Sequence, residues 1–158
     1  MPYPKRVYTI DEVKKARELT DQGWKHRLRV TGCEEFRQKV KEATGLVKEA
    51  GYYDFLRTYI REIVEIEGFS QLREAEAAIW ANKEILSDPV DAASLFIQKA
   101  QQMKDFLEDK PYYGGQGEMS SVNKRLEFLK ALKTKGKQEI IRKRCDDILK
   151  NWADSSFL

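Results

Sequence analysis

Residues 70–107 read SQLREAEAAIWANKEILSDPVDAASLFIQKAQQMKDFL, and the way this stretch is divided decides the fold. Leu72, Ala75, Ile79 and Leu86, with Ala78 and Ile85 beside them, recur at the three- and four-residue spacing of one helical face. Val90, Ala93, Phe96, Ile97, Ala100, Met103 and Leu107 repeat that spacing after a break. Between the runs, Ser87-Asp88-Pro89 offers a side-chain acceptor for unpaired helix N–H groups, then a proline that suits the first helical turn. The spacing therefore predicts a central antiparallel helical hairpin joined at an Asp-Pro corner.

Working outward, residues 1–8 carry two of the four prolines and read as an extended arm. Thr9 and Glu12 have the spacing of a capping box, so a helix starts there, and Gly23 ends it. The run Trp24-Lys25-His26-Arg27-Leu28-Arg29-Val30 alternates like a strand yet also continues a helical pattern. Phe36, Val40, Ala43, Leu46, Val47 and Ala50 line a second helix that stops at Gly51. Asp54 can cap a third, whose broad apolar face of Phe55, Leu56, Tyr59, Ile60, Ile63, Val64 and Ile66 predicts burial against the hairpin. The β-branched content of IREIVEIEG pulls toward a strand, but the helical repeat runs for over three turns and decides the reading. Residues 110–119 hold the only glycine-rich stretch and read as a loop, with Ser120 or Ser121 capping the next helix. Lys135-Gly136-Lys137 breaks it from a last helix bearing Ile140, Ile141, Cys145, Ile148, Leu149 and Trp152. The expectation is a single all-α domain over 1–158, bundle-like, with six to seven helices.

At 158 residues the chain suffices for one core that needs no metal or disulfide. Cys33 and Cys145 form no C-x-x-C pair, which points to a reducing, cytoplasmic setting. No apolar run spans a bilayer and the N-terminus lacks a signal-peptide core, so no membrane is expected. The net charge of +3 hides a division. Between Asp54 and Asp91 four cations face nine carboxylates, whereas between Asn123 and Arg144 nine cations face two.

Those nine, Lys124, Arg125, Lys130, Lys133, Lys135, Lys137, Arg142, Lys143 and Arg144, are the candidate nucleic-acid-binding residues, because cations that release counterions from phosphates supply most such affinity. The alternative is that they solvate two amphipathic helices or offset the acidic middle. Trp24 with its neighbouring cations could stack on a base and hold phosphate, or else Trp24 and Leu28 belong to the core. His26 is the only histidine, which removes histidine-rich metal sites and leaves one imidazole for acid-base work with Cys33 or Cys145. Glu62, Glu65, Glu74 and Glu76 lack the Glu-x-x-His partners of a bridged metal pair. The glycines at 114, 115 and 117 lack the strand and the Lys-Ser/Thr of a phosphate loop. Tyr52-Tyr53 and Tyr112-Tyr113 are candidate contact points with another protein. No cofactor is implied.

The reading is a non-catalytic binding protein whose basic C-terminal helices engage nucleic acid or an acidic protein surface. A homo-oligomeric assembly module is the alternative, its acidic middle meeting the basic end of a second copy. An enzyme whose site no linear motif reveals is the third.

Overall fold

The computed structural model describes residues 3–155. The chain runs α1 (Ile10–Asp21), β1 (Arg29–Thr31), α2 (Glu34–Glu49), α3 (Tyr53–Tyr59), β2 (Glu62–Glu65), β3 (Gln71–Arg73), β4 (Ala78–Ala81), α4 (Pro89–Leu107), α5 (Gly114–Lys135) and α6 (Glu139–Ser155). Short 3-10 turns at Glu74–Glu76 and Lys83–Ser87 flank β4. The four strands make one sheet in the order β1-β2-β4-β3, with β1, β2 and β4 parallel and β3 antiparallel to β4.

The all-α expectation is therefore wrong, and it fails where the reading began. Only the second half of the 70–107 stretch is a helix; the first half is β3, a turn, and β4. Ala77 to Ala81 is a continuous apolar run, which a strand flanked on both edges and an interior helix share, so periodicity alone does not separate them. Ala77 decides it: its φ of 52° is left-handed, a conformation that no helix can pass through and that costs an alanine about 1 kcal/mol. The broad face after Asp54 likewise belongs to two elements. Leu56 and Ile60 are buried from α3 and its C-cap, and Ile63 is buried from β2. Ile60 is already extended (φ −113°, ψ 121°). Beyond it, Arg61 donates to the carbonyls of Pro4, Lys5 and Glu76 at 2.8–2.9 Å, which fixes the chain between helix and strand.

The register aligns Val30, Ile63, Ile79 and Leu72 across the sheet. Ile63 and Ile79 are fully buried, so this row faces the helices, and by alternation Thr31, Val64, Trp80 and Gln71 face away. The long helix α4 is the hub, touching α2, α3, α5 and α6, and Phe96, Ile97, Ala100 and Met103 are fully buried along it.

Other readings survive at the residue level. Thr9 and Glu12 form the capping box at α1, Gly23 follows α1 at φ 93°, and α2 ends at Glu49 before Gly51. Asp88 accepts from the Val90 and Asp91 N–H groups at 3.0 and 3.4 Å, with Pro89 in the first turn of α4. Within 24–30, the strand begins only at Arg29. The described part of the N-terminal arm is extended and docked, with Tyr3 and Val7 buried and the Val7 N–H donating to the Ala75 carbonyl. The 110–119 loop is shorter than expected. The first turn of α5 is broken by Gly114 (φ 65°) and Gly115 (φ 22°, ψ −109°), so the regular helix begins only beyond them, and a side chain at Gly117 would put its Cβ 2.6 Å from the Tyr112 backbone, so only glycine fits that approach. Ser120 and Ser121 lie inside α5 and cap nothing.

Candidate anion-binding surface

The nine basic residues of the C-terminal third do not converge. Arg125 is almost wholly buried between α5 and α4. Its Nε donates to Ser94 Oγ at 2.9 Å, Nη1 to Gln98 Oε1 at 2.7 Å and Nη2 to Asp91 Oδ1 at 2.8 Å, and the guanidinium lies 5.6 Å from the centre of the Trp152 ring. That side chain is a structural clamp and is withdrawn from any partner. Lys133 pairs with Asp146 at 2.7 Å and Arg144 with Asp88 at 2.6 Å. Arg142 donates to the Gly136 carbonyl at 2.7 Å and so closes the C-terminal end of α5. Lys130 borders a groove between α5 and α6 floored by Leu126, Leu149 and Trp152, and Lys143 is exposed on α6.

Lys124, Lys135 and Lys137 have a different setting, at the corner where α2 turns into α3. Gly51 makes that corner at φ 83°, and Lys135 Nζ lies beside it. The Lys137 N–H donates to Glu49 Oε1 at 2.9 Å, which ties the α5–α6 connection to the end of α2. On one flank of α3, Lys48 Nζ stands 4.5 Å and the Arg57 guanidinium 5.5 Å from the centre of the Tyr53 ring. On the other, Lys124 Nζ stands 4.9 Å from Phe55 and 5.8 Å from Tyr52. The rings continue edge to face, Tyr52 against Phe55 at 6.3 Å and Phe55 against Tyr59 at 5.4 Å. All four are half-buried. Cations held over ring faces keep their charge at the surface with fewer conformations to lose on binding.

The carboxylates around these cations are largely engaged. Glu127 pairs with Lys124 at 2.9 Å and accepts from the Tyr52 hydroxyl at 2.7 Å. The Lys124 contact, then the Tyr52 bond, holds its carboxyl below the usual range. Burial, then Glu127, pushes the Tyr52 phenol well above its ordinary value, so it stays a neutral donor. Burial, then Glu108, pushes Tyr59 up to about 12. Asp54, exposed on α3, is the opposing charge at this corner, and among the described residues its carboxylate forms no ion pair.

The Trp24–Arg29 segment resolves toward the core. Trp24 and Leu28 pack against it, and His26 is buried with the Tyr3 ring 4.3 Å away. Trp24 Nε1 donates to His26 Nδ1 at 3.3 Å, so the neutral ring carries its proton on Nε2. Burial, then Arg61 and Arg57, drives the His26 pKa down to about 4. An imidazole so enclosed performs no acid-base work on a solvent-borne substrate. Cys33 caps α2, its Sγ accepting from the Phe36 N–H at 3.4 Å, and burial pushes the Cys145 thiol up to about 11. Glu62 and Glu65 serve the sheet: Glu62 accepts from the Thr31 hydroxyl at 2.6 Å and Glu65 from the Cys33 N–H at 2.9 Å. Among the described residues, no three of His, Cys, Asp and Glu gather as metal ligands.

No family model matches the chain, and neither does a curated protein or a solved structure. Function rests on the surface itself. Sequence reasoning singled out Tyr52-Tyr53, Lys124, Lys135 and Lys137 but not Lys48, Phe55 or Arg57. The i,i+4 spacing of Tyr53 and Arg57 was the available signal.

No helix among the described residues is long and apolar enough to cross a membrane.

Proposed function

We propose that the protein is a non-catalytic, cytoplasmic binding domain that engages nucleic acid through the corner formed by the end of α2, the short helix α3 and the adjoining face of α5. The observation that carries this reading is the interleaving of Lys48, Arg57, Lys124 and Lys135 with the half-exposed rings of Tyr53 and Phe55. Cations supply affinity for phosphates and rings supply contact with bases or sugars. The two free cysteines suit a reducing compartment.

The test is the salt dependence of binding to a labelled oligonucleotide. Affinity should fall with a logarithmic slope of about −0.7 per phosphate neutralised on a single strand and about −0.9 on a duplex. Reversing charge at Lys48, Lys124 and Lys135 together should abolish binding, while reversing Lys133, Lys143 and Arg144 should leave most of it. The opposite ranking would move the surface to α6.

An assembly module is the second reading, favoured by the outward sheet face. Phe69 is 91% exposed beside it, and Trp80 lies half-buried there with the Arg73 guanidinium 4.3 Å from its ring centre. A solution mass well above 18.5 kDa that returned to the monomer value in Phe69→Ser would establish it.

A further inference from the structure

Resting on the nucleic-acid reading, we propose that the strand bound at α3 is single, and that an unpaired base stacks on Tyr53 in the place now taken by the Lys48 ammonium. The two cations at that ring are held differently. Arg57 is anchored: its Nε donates to the His26 carbonyl at 2.9 Å, and the His26 N–H donates back to the Arg57 carbonyl at 2.8 Å. Lys48 is exposed in the last turn of α2, and among the described residues its ring contact is the interaction that places it. An exposed cation–π contact is weak and readily exchanged.

A base offers Tyr53 a larger stacking area than an ammonium does, and the displaced Lys48 is then free to pair with the flanking phosphate. Ring and cation thus serve one nucleotide together: Tyr53 takes the base and Lys48 the backbone, with Arg57 fixed alongside. The second flank repeats the parts with Phe55 and Lys124, where the Glu127 ion pair and the Tyr52 bond hold the amine more firmly. Tyr53 is therefore the exchangeable position and Phe55 the pre-set one.

A duplex meets this surface poorly. Its base faces are occupied by its own stack, and α3, at seven residues and packed against α4 and α2, does not project as a groove-reading helix does.

The experiment is fluorescence anisotropy on the full chain with three probes: a labelled single strand of about 12 nucleotides, the same strand with abasic sites, and its duplex. The intact strand should bind about tenfold more tightly than the abasic strand, which keeps the phosphates and lacks the rings. It should also outbind the duplex. Tyr53→Ala should bring the intact strand down to the abasic level and leave the abasic affinity unchanged. Lys48→Gln should reduce the salt slope by about 0.7 while keeping the intact-over-abasic preference. Equal binding of intact and abasic strands, or stronger binding of the duplex, would overturn base stacking and leave the nucleic-acid reading standing. Failure of all three probes to bind overturns that reading and this one with it. Stronger competition by polyglutamate than by the single strand would assign the surface to an acidic protein. Should Tyr53→Ala not fold by circular dichroism, the intact-against-abasic comparison on the natural chain decides alone.

Discussion

Lys124 and Arg125 are neighbours in α5, carry the same charge, and are put to opposite uses. Arg125 turns inward and places donors from all three of its guanidinium nitrogens on a serine, a glutamine and an aspartate from α4. Lys124 turns toward α3 and remains at the surface over Phe55. The difference follows from the side chains. A planar guanidinium can be sunk among fixed acceptors with its fork filled, whereas a compact, strongly hydrated ammonium is kept near water on a flexible stem. A count of positive charge along the chain therefore measures two quantities at once, cohesion of the helical layer and attraction for a partner.

The largest expected effect tests the inward half of this contrast. Arg125→Ala should lower the unfolding free energy by about 3 kcal/mol, since it strands Ser94, Gln98 and Asp91 without their donor. Urea titration checks it. Arg125→Lys should recover less than half, because the three donors of an ammonium radiate from one nitrogen and cannot span the acceptors that Nε, Nη1 and Nη2 reach separately. Nucleic-acid affinity should be unaltered in both, provided the chain is folded at the assay temperature.

Next comes His26, whose carbonyl positions Arg57 and whose ring is enclosed. Its folded pKa lies below the unfolded value of 6.5, so the unfolded chain binds the extra proton between those values. The corresponding stability is complete above pH 6.5 and is lost as pH falls toward 4, by on the order of 3 kcal/mol. The stability of the natural chain minus that of His26→Phe should fall by this amount as the pH drops over that range. A constant difference would mean the ring is not held neutral.

Lys124→Ala tests the outward half. Affinity for the oligonucleotide should fall several-fold, with unfolding free energy changed by less than about 0.5 kcal/mol. The smallest effect is expected for Lys133→Ala, whose partner Asp146 is also shared by Lys150. Stability and affinity should each stay within about 0.5 kcal/mol of the natural values.

What could be read from the chain was its punctuation. Thr9 with Glu12, Gly23, Gly51, Asp88-Pro89 and Gly136 each act locally, through one cap or one turn, and each stands where expected. The sheet was illegible because its residues speak through neighbours distant in sequence. Ile79 is a core residue in either reading, and only pairing with Ile63 and Leu72 makes it a strand residue. The site was half legible for the same reason. Lys124 and Lys135 were visible as charge, but Lys48 and Arg57 acquire meaning only once α2 and α3 bring them to Tyr53.

The topology also bears on how the chain reaches its native state. Helices α4, α5 and α6 are successive and meet through contacts close along the chain, so they can assemble early. β2 pairs with two partners distant along the chain, β1 more than 30 residues before it and β4 after it, and closing those loops is slow relative to helix pairing. During synthesis β1 is already available to one edge of β2, but the other edge stays open until Ala81 has emerged, which makes the β2–β4 interval the stretch most exposed to intermolecular strand pairing and the one a chaperone would be expected to hold.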